Sequence, residues 1–201
     1  MFELGQNDEN LDNIFDAQDI NKLEAGSNPW PETIANSKLT YGKNVRSVIK
    51  AIDQPADQTD IRTFYDDKGR LIQTQKTGLL NKSTTTTTLY DFNGKVLSTY
   101  IRHNNPSQSI STLSNITLLS KMKYDGAGRI IDVSKKINDN PATEKNILEN
   151  SYDELGQLKS KKLSPEFNNN TGLETLNFEY NIRGWLKSIN KDYANGTGNA
   201  N

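Results

Sequence analysis

Tyr124-Asp125-Gly126-Ala127-Gly128-Arg129-Ile130-Ile131 holds a pattern, Tyr-Asp-x-x-Gly followed by an apolar-rich run, that recurs along the chain. Tyr65-Asp66-Asp67-Lys68-Gly69 leads into Arg70-Leu71-Ile72, and Tyr90-Asp91-Phe92-Asn93-Gly94 leads into Lys95-Val96-Leu97. Tyr152-Asp153-Glu154-Leu155-Gly156 leads into Gln157-Leu158. Tyr180-Asn181-Ile182-Arg183-Gly184 replaces Asp by Asn and leads into Trp185-Leu186. Recurrence at intervals of this kind marks an array of one small unit. Function then belongs to the assembled surface, and a compact enzyme is not expected.

Each unit reads as a β-hairpin. Residues 84–89 are almost all Thr, a β-branched residue suited to a pleated strand. Residues 116–124 and 173–180 alternate, so that Leu176, Phe178 and Tyr180 share one face and Asn177 and Glu179 the other. After each Tyr the chain must turn. The Asp side chain accepts backbone N–H groups further along, and Asn fills the same role. The Gly supplies a positive φ. The second residue after Gly is apolar in every copy: Leu71, Val96, Ile130, Leu158 and Leu186. The expectation is that it packs across the hairpin against a tyrosine ring, a pair that contributes about 0.2–1 kcal/mol. One hairpin is marginal in water, so neighbouring hairpins must join into a sheet. Variation falls in the connectors, residues 76–83, 103–115, 136–146 and 164–173, which are rich in loop residues.

The five copies, with their Tyr-Asp-x-x-Gly-[Arg/Lys/Gln]-[Leu/Val/Ile] wording and one Asn variant, resemble the Rhs repeat, also called the YD repeat. The resemblance covers roughly residues 60–190. The wording looks like the large Rhs-type cell-surface and secreted proteins of Bacteroidetes-like bacteria. It implies an all-β fold: tandem hairpins forming an open, twisted antiparallel strip, a segment of a β-shell. It implies a structural role for Tyr65, Asp66, Gly69, Tyr90, Asp91, Gly94, Tyr124, Asp125, Gly128, Tyr152, Asp153, Gly156, Tyr180, Asn181 and Gly184. It supplies no catalytic residue, cofactor or metal. The implied partners are adjacent repeats of the same polypeptide, with an encapsulated toxin domain or surface glycans beyond them, and the implied location is secreted or cell-surface. The self-cleaving core of some members carries an Asp-Pro-Gly motif, and this chain has no Asp-Pro dipeptide.

Four segments follow: an acidic leader without repeats at 1–37, a possible degenerate repeat and loop at 38–59, the hairpin array at 60–190, and a Gly/Asn-rich tail at 191–201. The leader is read as poorly ordered or partly helical. Leu11, Ile14 and Phe15 have helical spacing, and Asn28-Pro29-Trp30-Pro31 ends any helix. Residues 1–40 hold eight acids and two bases, whereas 41–201 hold 22 bases and 17 acids. A basic excess so spread is not a nucleic-acid footprint.

The chain has 201 residues, of which 45 are Leu, Ile, Val or Phe, so an ordered but thin core is expected. With no Cys there are no disulfides, thiolate metal sites or Cys nucleophile. No apolar run approaches the roughly 20 residues that span a bilayer, and residues 1–10 do not form a signal peptide. His103, beside Asn104-Asn105-Pro106, is read as a surface loop residue. The repeated aspartates are read as turn closers rather than calcium ligands, because EF-hand and nonapeptide spacings are absent. The recurring Tyr residues and Trp185 are read as packing residues, with a sugar-stacking platform as the alternative. No P-loop, Gly-x-Ser-x-Gly or His-Glu-x-x-His motif occurs. The chain is read as a fragment of a longer array.

Overall fold

A computed structural model describes residues 2–4, 15–50, 52, 58–106 and 114–194. The fold is all-β. Its strands are β1 (Phe2–Leu4), β2 (Asn44–Lys50), β3 (Gln58–Tyr65), β4 (Leu71–Thr77), β5 (Ser83–Tyr90) and β6 (Val96–Asn104), then β7 (Asn115–Tyr124), β8 (Ile130–Ile137), β9 (Lys145–Tyr152), β10 (Leu158–Leu163), β11 (Glu174–Tyr180) and β12 (Leu186–Ile189). They neighbour one another in sequence order, and the sheet does not close. The five Tyr-Asp/Asn turns join β3 to β4, β5 to β6, β7 to β8, β9 to β10 and β11 to β12. The expected strands at 84–89, 116–124 and 173–180 are β5, β7 and β11 within a residue or two. The chain divides into two compact units, residues 1–121 with 137–140, and residues 122–136 with 141–201.

In the first unit, register aligns one residue from each of five strands. Phe64 faces Gln73, Gln73 faces Thr87, Thr87 faces Tyr100, and Tyr100 faces Leu119. All five are at most 2% exposed. Ile72, Leu89 and Leu97 extend this core. Fully burying a Leu, Ile or Phe side chain stabilises by about 1.5–3 kcal/mol, so a core this small is held by few residues.

The register slips beside each tyrosine, between Phe64 and Tyr65 and between Leu89 and Tyr90, so that Tyr65 pairs with Leu71 and Tyr90 with Val96. Each slip is a bulge that adds one residue to the returning strand. The added residue and its successor are both buried, Ile72 with Gln73 and Leu97 with Ser98. In register, these two tyrosines stand opposite the second residue after Gly. The core, however, lies on the opposite face: Leu71 is 40% exposed, and Tyr65 and Tyr90 are half-buried. Strand alternation explains this correction. The residues before Tyr65 and Tyr90, Phe64 and Leu89, point the other way and take the core positions.

What covers the core face is the leader. Of the helix expected over residues 7–20, residues 7–14 lie outside the described residues. From Phe15 the chain forms a short 3₁₀ helix, Ala17–Lys22, and then runs irregularly across the sheet. Phe15 meets Phe64 edge to face at 5.5 Å, and Ile34 is buried. Trp30, between two prolines, takes a positive φ of 61° and is exposed.

The second unit is thinner. None of its described Leu, Ile, Val, Phe, Tyr or Trp residues is fully buried. In β9, Asn146, Leu148, Asn150 and Tyr152 are half-buried, and the residues between them are exposed. In β11, Leu176, Phe178 and Tyr180 form the sheltered face and Asn177 and Glu179 the exposed one. That is the alternation read from the sequence.

Candidate functional site

The five turns share one geometry. In the third copy, Asp125 Oδ1 accepts the N–H groups of Ala127 at 3.0 Å and Arg129 at 2.9 Å, while Gly128 N–H donates to Asp125 O at 2.9 Å. The first copy repeats this with Lys68 and Arg70 on Asp66, and the fourth with Leu155 and Gln157 on Asp153. In the second copy Lys95 N–H donates to Asp91 Oδ1 at 2.8 Å. Asn181 Oδ1 accepts Arg183 and Trp185 N–H at 2.9 and 3.0 Å, so an amide oxygen does what the carboxylate does. The glycines hold φ between 76° and 85°, a left-handed conformation that costs other residues about 1–2 kcal/mol. Hydrogen bonds from Arg129, backbone first and side chain second, hold the Asp125 carboxyl below its usual range.

The tyrosines do a second job. Each of four tyrosine hydroxyls donates to a backbone carbonyl of the preceding hairpin: Tyr65 to Asn44 at 3.1 Å, Tyr90 to Leu71 at 2.9 Å, Tyr152 to Ile130 at 2.8 Å and Tyr180 to Leu158 at 3.1 Å. The acceptor is always the second residue after a turn Gly, Asn44 included, since Gly42 also has a positive φ. The residue between Gly and acceptor puts its cation over the same ring: Lys43 over Tyr65 at 5.0 Å, Arg70 over Tyr90 at 4.9 Å and Arg129 over Tyr152 at 4.3 Å. Contacts of this kind contribute about 0.5–1 kcal/mol at exposed sites.

In the first unit the leader binds this framework. Gln73, 1% exposed, accepts Asp16 N–H through Oε1 at 3.0 Å and donates through Nε2 to Asp16 O at 2.7 Å and Thr87 Oγ1 at 3.0 Å. A buried amide so used stands in for a strand's peptide group and leaves no polar atom unpaired. Arg102 grips both Asp19 oxygens at 3.1 Å and also Asp16. Lys22 pairs with Asp139 at 2.9 Å, and Lys121 with Glu24 at 3.0 Å. Further on, Glu32 N–H donates to Tyr90 O at 2.9 Å and Ser37 N–H to Tyr65 O at 2.7 Å. The leader thus meets the tyrosine carbonyl of the first two copies. The Glu32 carboxylate sits between Lys68 and Arg70. Hydrogen bonds from Lys68 and then Arg70 hold its pKa below the usual carboxylate range. Burial pushes the Asp19 carboxyl up, with Arg102 opposing.

His103 is not in a loop. It lies in β6 opposite Thr84, whose Oγ1 is 2.9 Å from its Nδ1. The strand runs on past the expected connector boundary because the register with β5 continues to Asn104. Among the described residues, no group of three or more His, Asp or Glu is placed to hold a metal ion. No described helix is long and apolar enough to cross a membrane.

The repeat residues therefore lie along the turn margin within each unit. The leader contacts were not foreseen, although two signals for them exist. One is the opposed charge of residues 1–40 and the rest. The other is the residue before Tyr and the third after Gly, which are Phe64/Ile72 and Leu89/Leu97 in the first two copies but Ser151/Lys159 and Glu179/Lys187 in the last two. An apolar pair marks a covered face and a polar pair an uncovered one. Compared with known proteins, the chain matches no family model and no curated protein significantly.

Proposed function

We propose that this chain is a segment of an Rhs/YD-repeat array with a non-catalytic, scaffolding role. In the full-length protein it forms part of a β-shell that encapsulates or presents a domain encoded elsewhere, such as a C-terminal toxin, in a secreted or cell-surface setting. The observation that carries this reading is the contact between hairpins. Four tyrosine hydroxyls reach the carbonyl at one fixed position of the preceding hairpin. A rule that links each hairpin to the one before it lets an array grow by nearest-neighbour contacts. The test is the full open reading frame and its product. Further Tyr-Asp-x-x-Gly copies are expected, followed by a domain that resists protease until the array is broken. A downstream domain equally cleavable with the array intact or disrupted would count against encapsulation.

The second reading is an extracellular adhesion or carbohydrate-binding array. It draws on Trp185, which is 64% exposed with Arg183 5.7 Å from its ring. Glycan-array binding that disappears in Trp185→Ala with an unchanged melting curve would favour it over the shell.

A further inference from the structure

Four large apolar side chains of the first unit stand out into solvent beside its turns. Pro31 pairs with Asp91 in an isolated antiparallel bridge, and Glu32 N–H donates to Tyr90 O at 2.9 Å. That register sets Trp30 opposite Phe92, at the tip of the second Tyr-Asp turn. Trp30 is 72% exposed and Phe92 55%. Leu39 and Tyr41, 78% and 96% exposed, stand at the turn of Gly42, where Lys43 N–H donates to Thr40 O at 2.9 Å.

Trp30 is held outward under strain. Its φ is 61°, a value that a bulky side chain rarely takes. It stands between Pro29 and Pro31, whose rings fix their own φ. The Pro31 bridge and the Glu32 bond pin the next two residues to the second turn. Strain kept at an exposed side chain points to use of that side chain.

The charges beside the tip are closed on themselves. Glu32 pairs with Lys68 and Arg70, and Asp66 with Arg70. Two acids and two bases so arranged lose water at less cost than a lone charge. They also leave no charged group open to take the hydroxyls of a sugar. A stable protein partner needs a contiguous surface of about 800 Å², whereas these apolar tips are divided by the polar first turn. A bilayer interface accepts separate tips of this kind, because Trp and Tyr rings lie among the headgroups with their polar edges to water. We propose that the Trp30–Phe92 tip, with Leu39 and Tyr41 beside it, is a contact for the surface of a phospholipid bilayer. The rings enter the headgroup layer and the upper acyl chains, and the protein rests on the membrane through them.

The test is co-sedimentation of the full chain with phosphatidylcholine vesicles, and with vesicles of equal parts phosphatidylcholine and phosphatidylserine. Binding is expected to both, with little change as salt is raised, because the local charges are paired. Partitioning should fall at least about fivefold in Trp30→Ala and in Phe92→Ala, each of which withdraws one large apolar group. It should be unchanged in Leu80→Ala, an exposed leucine at the opposite margin, between β4 and β5. The chain has two tryptophans, so in a Trp185→Phe background Trp30 alone reports. Its emission should move to shorter wavelength on vesicles and be quenched by brominated lipid. Phe92→Ala keeps the leader's own residues intact, and it decides the matter if Trp30→Ala loosens the leader. The proposal is overturned by no co-sedimentation, by binding to the anionic vesicles alone that salt abolishes, by equal binding of Phe92→Ala and the parent, or by Trp30 emission that brominated lipid does not quench.

Discussion

Asp153 and Asn181 occupy the same turn position in successive copies and accept the same two backbone N–H groups. The turn thus needs an oxygen acceptor more than it needs a charge. At Asp153 no arginine follows the Gly, so acceptor and charge separate cleanly. Asp153→Asn should leave stability within about 0.5 kcal/mol, whereas Asp153→Ala should cost about 1–2 kcal/mol by leaving two donors without their acceptor. Urea midpoints of the three proteins check this. The turn was legible in the sequence because its bonds span only two to four residues. The tyrosine hydroxyl was not. Its acceptor lies 19–22 residues away on the preceding hairpin, and no local pattern names it.

The leader is the element that makes the first unit. It supplies Phe15 and Ile34 to a core that the sheet alone would leave open, and it neutralises Arg102, Arg70 and Lys68. Asp19 has a side chain only 5% exposed against 27% for Arg102. Removing Arg102 strands a buried carboxylate. Arg102→Ala should cost about 3 kcal/mol, the low end for a broken buried pair because the arginine keeps some solvent. Chemical denaturation followed by leader-specific NMR signals measures it.

Glu32 gives the pH dependence its sign. Its folded pKa is depressed, so its contribution is present above the ordinary value of 4.5 and is lost as pH falls below it. Asp19 works in reverse: its raised value favours the fold at low pH and costs stability as pH rises through it. Glu32→Gln should be less stable than the parent at pH 7 and should lose less between pH 5 and pH 3, read from urea midpoints across that range. The composition held a hint of this docking in the opposed charges of leader and array. Which acid meets which base depends on pairings more than 30 residues apart, as in Arg70 with Glu32, and charge totals do not carry that.

At the scale of the molecule, both units follow the same turn rule yet differ in how they are sheltered. The first has a covered apolar face. The second exposes Ile182, Trp185, Leu186 and Ile189 on and beside its last strand. An edge strand with exposed apolar side chains favours pairing with another chain. If the chain is a piece of a longer array, it should associate in isolation, and light scattering at high concentration should report oligomers. A monodisperse monomer there would count against that reading. All-β class and strand positions were legible because hairpin pairing is local; the choice of buried face was not, because a bulge and a covering segment decide it.

The central claim is that the five turns are one structural unit repeated. Hydrogen exchange of the amide after each turn Gly tests it most directly. The amides of Arg70, Lys95, Arg129, Gln157 and Trp185 each donate to the Asp or Asn side chain of their own turn. All five should be protected relative to neighbouring turn amides, and each should lose protection only when its own Asp or Asn becomes Ala. Free exchange at these amides in the intact chain, or protection in only one or two copies, would contradict the repeat.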